Sequence, residues 1–188
     1  MTRFLATLAL TFAFAATLGF SGSGVLFAQD EFAISINQYV EHPSLNASIR
    51  GFKDQLRESG VKVEYREHNA QANMPTVTQI VNAIMDEKPD LILAVATPSA
   101  QITAQKVKDI PILFTAVTDP VTAGLVKSLA EPGGNITGTT DMNPVVAQLL
   151  LIKEVQPDLK KLGIIYNAGE QNSVVQVELA KEVVGSMG

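Results

Sequence analysis

The stretch LILAVATPSAQITAQKV, Leu91 to Val107, carries the pattern that decides the fold. Leu91–Val95 is an uninterrupted apolar run of strand length, the composition of a strand buried on both faces of a parallel sheet. Thr97-Pro98 then opens a short helix whose inner positions are Ile102, Ala104 and Val107. An apolar strand that hands over to a helix within two residues is one β-α unit, and the flanking sequence repeats the unit in both directions.

Upstream, Phe32–Ile36 reads as a strand, and Pro43–Ser59 as a helix with Leu45, Ile49, Phe52 and Leu56 on one side, stopped by Gly60. Val61–Tyr65 alternates strictly, which predicts a strand with one wet face near the edge of the sheet. Val77, Ile80, Val81, Ile84 and Met85 line a helix that ends before Pro89. Downstream, Ile110–Phe114 predicts a buried strand, Val121–Ala130 a helix, Glu131–Asn135 a turn and Ile136–Thr139 a short strand. Val145–Val155 predicts a helix, Leu162–Tyr166 a strand and Val174–Val184 a last helix. Repeated β-α units of this length specify an α/β fold with a mostly parallel sheet and right-handed crossovers. The last helix runs to Gly188 with no further strand to cover it, so the chain is expected to stop inside a second lobe.

The chain has 188 residues, 46% hydrophobic and 18% charged, with no cysteine or tryptophan and a net charge of −5. Lack of cysteine excludes a disulfide scaffold, a thiolate metal site and a cysteine nucleophile. The acidic balance argues against nucleic acid or an anionic membrane as partner. Residues 1–29 read as a signal peptide: Arg3 is the positive start, Phe4–Phe20 is uncharged and apolar, and cleavage falls near Ala28 or Gln29. Loss of Arg3 would take the net charge from −5 to −6. An exported protein, expected in the periplasm, follows from that layout.

In open parallel sheets ligands sit beyond the carboxyl ends of the strands. Four loops there share a proline next to a polar residue: His42-Pro43, Thr97-Pro98, Asp119-Pro120 and Asn143-Pro144. Each polar residue is placed to cap a helix start. Backbone N–H groups at Thr97 to Ala100, with the side chains of Thr97, Ser99 and Gln101, would receive a carboxylate or another anion. Enzymatic constellations are missing: there is no GxSxG elbow and no GK[ST] loop, the Gly19–Gly24 cluster lies in the leader, and His42 and His68 lack ligand spacing. Asn46-Ala-Ser48 and Asn135-Ile-Thr137 fit the glycosylation pattern, which is common by chance. An edge rich in neutral polar groups and poor in general acids suits holding a ligand, so no catalytic residue, metal or cofactor is expected.

Five segments together resemble the ABC-transporter substrate-binding proteins associated with aromatic amino acids. They are QYVEHPSL (38–45), ATPSAQ (96–101), FTAVTDPV (114–121), NITG (135–138), and Tyr166-Asn167 with Asn172-Ser173. The resemblance covers nearly all of the chain after the leader. It implies a type I periplasmic binding protein: two Rossmann-like α/β lobes with parallel sheets, closing on a ligand between them. Family members are longer than this chain, so residues 30–142 would form the first lobe and 143–188 the incomplete start of the second. The cleft-facing positions it implies are Gln38, Thr97, Ser99, Ala100, Gln101, Thr115 and Asp119 in the first lobe, and Asn143, Asn167, Asn172 and Ser173 in the second. Thr97 to Gln101 would hold the carboxylate of an amino-acid-like solute; Asp119 and the asparagines would hold its ammonium group. Tyr39, Phe114 and Tyr166 lie at strand ends, where an aromatic wall or simple core packing are both open readings. The implied partners are a small polar or zwitterionic, amino-acid-like solute and an inner-membrane permease, with the protein itself a monomer. Two other readings stand beside import: a ligand-sensing module for a signalling receptor, and an enzyme on a two-lobed frame. A racemase of that shape would need paired cysteines, and a DNA-binding regulator a helix pair where the leader stands.

The leader reading predicts that residues 1–29 are absent from exported material. N-terminal sequencing should begin close to Asp30, and an intact Met1 in a membrane fraction would overturn it.

Overall fold

The computed structural model describes residues 31–187, so the expected leader lies outside the described residues. Five strands form one parallel sheet: β1 (Phe32–Gln38), β2 (Val63–Asn69), β3 (Leu91–Val95), β4 (Ile112–Val117) and β5 (Ile136–Thr140), in the order β2-β1-β3-β4-β5. The helices are α1 (Pro43–Glu58), α2 (Met74–Glu87), α3 (Thr97–Lys106), α4 (Val145–Val155) and α5 (Gln171–Met187). The apolar run at 91–95 becomes the central strand, and the alternating segment after Gly60 becomes edge strand β2, starting two residues later than its pattern suggested.

Both faces of the sheet are covered, as parallel strands require. Ile34 and Ile36 of β1 and Leu93 and Val95 of β3 pack under α1 with Ile49, Leu45, Phe52 and Leu56. On the opposite face Ile92, Ala94, Ile112 and Phe114 meet Val77, Val81 and Ile84 of α2 and Ala100 of α3. The alternate β1 positions Ser35 and Asn37 are fully buried polar residues bonded to the helices: Ser35 donates to Glu87 and Asn37 to Thr103. Local chemistry starts the helices. His42 Nδ1 accepts the Ser44 N–H at 3.3 Å ahead of α1, and Asn73 Oδ1 accepts the Thr76 N–H at 2.9 Å ahead of α2.

Two expected elements are absent and two caps differ. Residues 121–130 form no helix: the chain makes one turn held by Asp119 and Pro120, reverses at Gly124 (φ 72°), and inserts Leu125 and Val126 into the core from a loop. A left-handed residue four positions in cannot propagate a right-handed helix. Leu162–Tyr166 is not a strand, because among the described residues none pairs with it; Ile165 is fully exposed. A strand's hydrogen bonds come from its neighbours, so an apolar run alone does not make one. Thr97 is the first residue of α3 and not its cap; the cap position is Ala96. Asn143 likewise does not cap α4, whose cap position is Pro144.

Beyond β5 the chain leaves the sheet through a clasp in which Thr140 Oγ1 donates to the Thr118 carbonyl at 2.7 Å and Asp141 N donates to the Val117 carbonyl at 3.1 Å. Helices α4 and α5 then form a small cluster of their own around Val145, Leu149 and Ala180, with Val146, Leu150, Leu151 and Val155 on the exposed side of α4. No helix among the described residues is long and apolar enough to cross a membrane.

One glycine is fixed by close approach. Gly138 of β5 pairs with Phe114 of β4, and a Cβ there would lie 2.0 Å from the Phe114 carbonyl oxygen and 2.6 Å from its ring. Gly138→Ala should therefore destabilise the fold by at least about 2 kcal/mol, as overpacking against backbone does. Chemical denaturation measures it, and a change below about 0.5 kcal/mol would show that β5 moves freely on the sheet edge.

Candidate functional site

The junction between β3 and α3 is the least ordinary piece of backbone in the molecule. Ala96 has φ 79° and ψ 154°, a region natural to glycine, and an L-residue there costs about 1–3 kcal/mol. This turn delivers the chain into α3 within a single residue. No side chain caps the helix, and Pro98 in the first turn brings no N–H of its own. The N–H groups of Thr97 and Ser99 have no acceptor within the helix, by the geometry of any helix start. Thr97 is 1% exposed, and its hydroxyl oxygen is buried without a hydrogen-bond partner. Uncapped N–H groups, the positive end of the helix dipole and an unsatisfied hydroxyl at one point are chemically suited to an anionic group.

The neighbouring expected residues divide into two kinds. Ser99 and Ala100 are fully buried; the Ser99 hydroxyl donates to Asn37 Oδ1 at 3.5 Å, and Ala100 belongs to the core. Gln101 Nε2 donates to the Ala123 carbonyl at 3.2 Å, fastening α3 to the loop after β4. Gln38 ends β1 half-buried, donating to Asn46 Oδ1 at 2.7 Å and accepting from Asn69 Nδ2 at 3.4 Å. Asn135 donates to the carbonyls of Val107 and Ile110, which engages the amide nitrogen of the second apparent glycosylation motif inside the fold; Asn46, in the first, accepts from Gln38 through its oxygen.

On β4 a bulge at Thr115-Ala116, with Ala116 at φ 55°, breaks the register with β5 and re-aims the strand end. Thr115 and Thr139 share a hydrogen bond of 3.1 Å between their hydroxyls. Asp119 Oδ1 accepts the N–H groups of Val121 and Thr122, each at 3.0 Å, and Oδ2 accepts the Thr122 hydroxyl. Burial alone would raise its pKa, but these hydrogen bonds from Thr122 and Val121 outweigh burial and hold the carboxyl below its ordinary value. Asp119 is therefore a fixed negative charge at neutral pH.

Helix α5 approaches this edge from the other side. The Tyr39 hydroxyl, beyond β1, donates to the Ala72 carbonyl at 3.2 Å and reaches Glu170 Oε1 at 3.5 Å, and burial followed by the Glu170 charge raises its pKa. Just after Glu170, Gln171 Oε1 and Asn172 Oδ1 are buried with no hydrogen-bond partner. Farther along, Val175, Glu178, Leu179 and Glu182 face Asp119 and Met142 across an open groove of about 660 Å³. Ser173 is half-buried and donates its N–H to the Glu170 carbonyl at 3.0 Å. Asn143 and Asn167 are exposed: Asn143 Nδ2 donates to Gln176 Oε1 at 2.6 Å, and Asn167 closes its own turn with Gly169 and Glu170. Tyr39 and Phe114 are buried core aromatics, whereas Tyr166 is 45% exposed. Sequence reasoning missed Gln171 and Asn37. Gln171 carried a signal beside Asn172; Asn37 did too, as an amide inside an otherwise buried strand. Among the described residues no group of three or more His, Asp or Glu is placed to hold a metal ion.

The family model described as ABC transporter substrate binding protein matches residues 33–188. A tyrosine-binding protein of Clostridioides difficile (strain R20291) is 48% identical over 151 residues, covering 77% of this chain and 43% of that protein. A solved structure from Vibrio cholerae, a conserved domain protein, aligns with TM-score 0.81 at 42% identity, over 84% of this chain and 54% of the other. The structure of an ABC domain in complex with L-Trp, from Streptococcus pneumoniae, aligns with TM-score 0.81 at 38% identity, over 85% of this chain and 55% of the other. The chain thus spans about half the length of the relatives it matches. Its parallel α/β sheet is that of the type I periplasmic binding fold, and its relatives are substrate-binding proteins and not enzymes. The chain belongs to the ABC transporter substrate-binding protein family.

Proposed function

We propose that this protein captures an aromatic amino acid outside the cytoplasmic membrane and delivers it to an ABC permease. The observation that carries the reading is the uncapped start of α3, with the Thr97 hydroxyl buried and unpartnered beside it. A buried hydroxyl without a partner costs about 1–3 kcal/mol, and a ligand carboxylate accepting from Thr97 Oγ1 and the α3 N–H groups removes that cost. The same edge offers acceptors for an ammonium group in the Gln171 and Asn172 amide oxygens and the Asp119 carboxylate. Gln38, Thr115 and Ser173 border this edge, while Asn143 and Asn167 hold the approach of α5. The tyrosine-binding relative and the relative bound to L-Trp favour an aromatic side chain. The leader favours export, hence a periplasmic protein working with an inner-membrane permease, and a monomer is sufficient for that task. In this reading residues 30–142 form the first lobe and 143–188 open the second.

Calorimetry on the intact protein should give clear binding of L-tryptophan or L-tyrosine and much weaker binding of L-leucine. Thr97→Val keeps the shape and removes only the hydroxyl. It should weaken aromatic amino-acid binding by about tenfold, roughly 1.4 kcal/mol, and leave the unfolding midpoint unchanged or higher, since no internal bond is lost. Preference for an aliphatic amino acid, or unaltered affinity in Thr97→Val, would place the ligand or its carboxylate elsewhere.

A further inference from the structure

We infer that Asn37 is a positioning residue, holding the first turn of α3 in the orientation that receives the ligand carboxylate; the inference rests on the proposed function. Asn37 lies on β1 and Ser99 and Thr103 on α3, and all three are completely buried. Their side chains, together with the Ser99 carbonyl, close a ring of hydrogen bonds. Asn37 Nδ2 donates to Thr103 Oγ1 at 3.1 Å. Thr103 Oγ1 donates back one turn to the Ser99 carbonyl at 2.7 Å. The Ser99 hydroxyl donates to Asn37 Oδ1 at 3.5 Å. The Asn37 amide, the Thr103 hydroxyl and the Ser99 hydroxyl each have a partner inside the fold.

The ring joins segments more than sixty residues apart in the chain and fastens the strand to the turn that carries the free N–H groups. Apolar packing is non-directional: Ala100, Ile102, Ala104 and Val107 would keep α3 on the sheet in more than one rotation about its axis. Directional bonds from a rigid central strand select one. They also oppose relaxation of Ala96, whose φ of 79° would otherwise be relieved by swinging the helix start away from the sheet edge.

The test uses the intact protein with L-tryptophan as probe, comparing wild type, Thr103→Val and Thr103→Ser. The valine is isosteric and breaks the ring; the serine restores the hydroxyl. Thr103→Val should weaken L-tryptophan binding at least about fivefold, and in the ligand-free protein should speed amide exchange at Ala100 and Gln101 but not at Ile92 and Leu93. Thr103→Ser should return both toward wild type. Where Thr103→Val fails to fold, Ser99→Ala removes one bond of the ring, and at least about a twofold loss of affinity is expected. Unchanged affinity, equal losses in the serine and valine variants, or faster exchange across the sheet in step with α3 would overturn the inference. Absence of L-tryptophan binding by the wild-type protein would overturn the proposed function and the inference together, whereas wild-type binding that Thr103→Val leaves intact would overturn the inference alone.

Discussion

Strand β3 lies between β1 and β4 with Ile92, Leu93, Ala94 and Val95 all buried, Leu93 and Val95 toward α1 and Ile92 and Ala94 toward α2 and α3. A parallel strand in that position cannot be followed by a hairpin; the chain must leave at the carboxyl end and return over one face. Each crossover therefore begins at the same edge, and the ends of β1, β3 and β4 bring Gln38, Ala96-Thr97 and Asp119 to it. The gathering of these residues on one edge is a consequence of how a central parallel strand must be connected.

That edge is also where the structure tolerates unfavourable local terms. Ala96 and Ala116 both have positive φ, at the ends of β3 and β4, and the Thr97, Gln171 and Asn172 oxygens are buried without partners. Continuous apolar packing on both faces of the sheet offsets these costs. Strain and unsatisfied polar atoms on one edge of an otherwise well-packed sheet are the expected mark of a surface shaped for a ligand.

Helix α5 completes the picture from the opposite side. Its start is anchored near Tyr39 through Glu170, and its middle faces Asp119 and Met142 across the groove. Its own core with α4 is small, and the apolar segment 162–166 that follows α4 has no sheet to join among the described residues. The five-stranded sheet supplies the built edge, and α5 lies across the groove from it.

Much of this was legible in the amino-acid sequence. The apolar run at 91–95, the alternation after Gly60 and the three- and four-residue spacing in α1 and α2 are local patterns, and they determined the α/β class, the central and edge strands, and the sheet edge on which Thr97-Pro98 and Asp119-Pro120 fall. What the sequence could not decide depended on partners distant along the chain. Val121–Ala130 has helical composition, yet Gly124 turns left-handed and the core takes Leu125 and Val126 from a loop. Leu162–Tyr166 has strand composition, but a strand exists only where another supplies its hydrogen bonds. Ser99 was legible as a polar side chain at the start of α3; only the tertiary structure engages its hydroxyl with Asn37 and leaves that of Thr97 unpaired. Periodicity reports which face of an element is apolar, whereas the partner of a buried polar atom is fixed only when segments sixty residues apart are brought together.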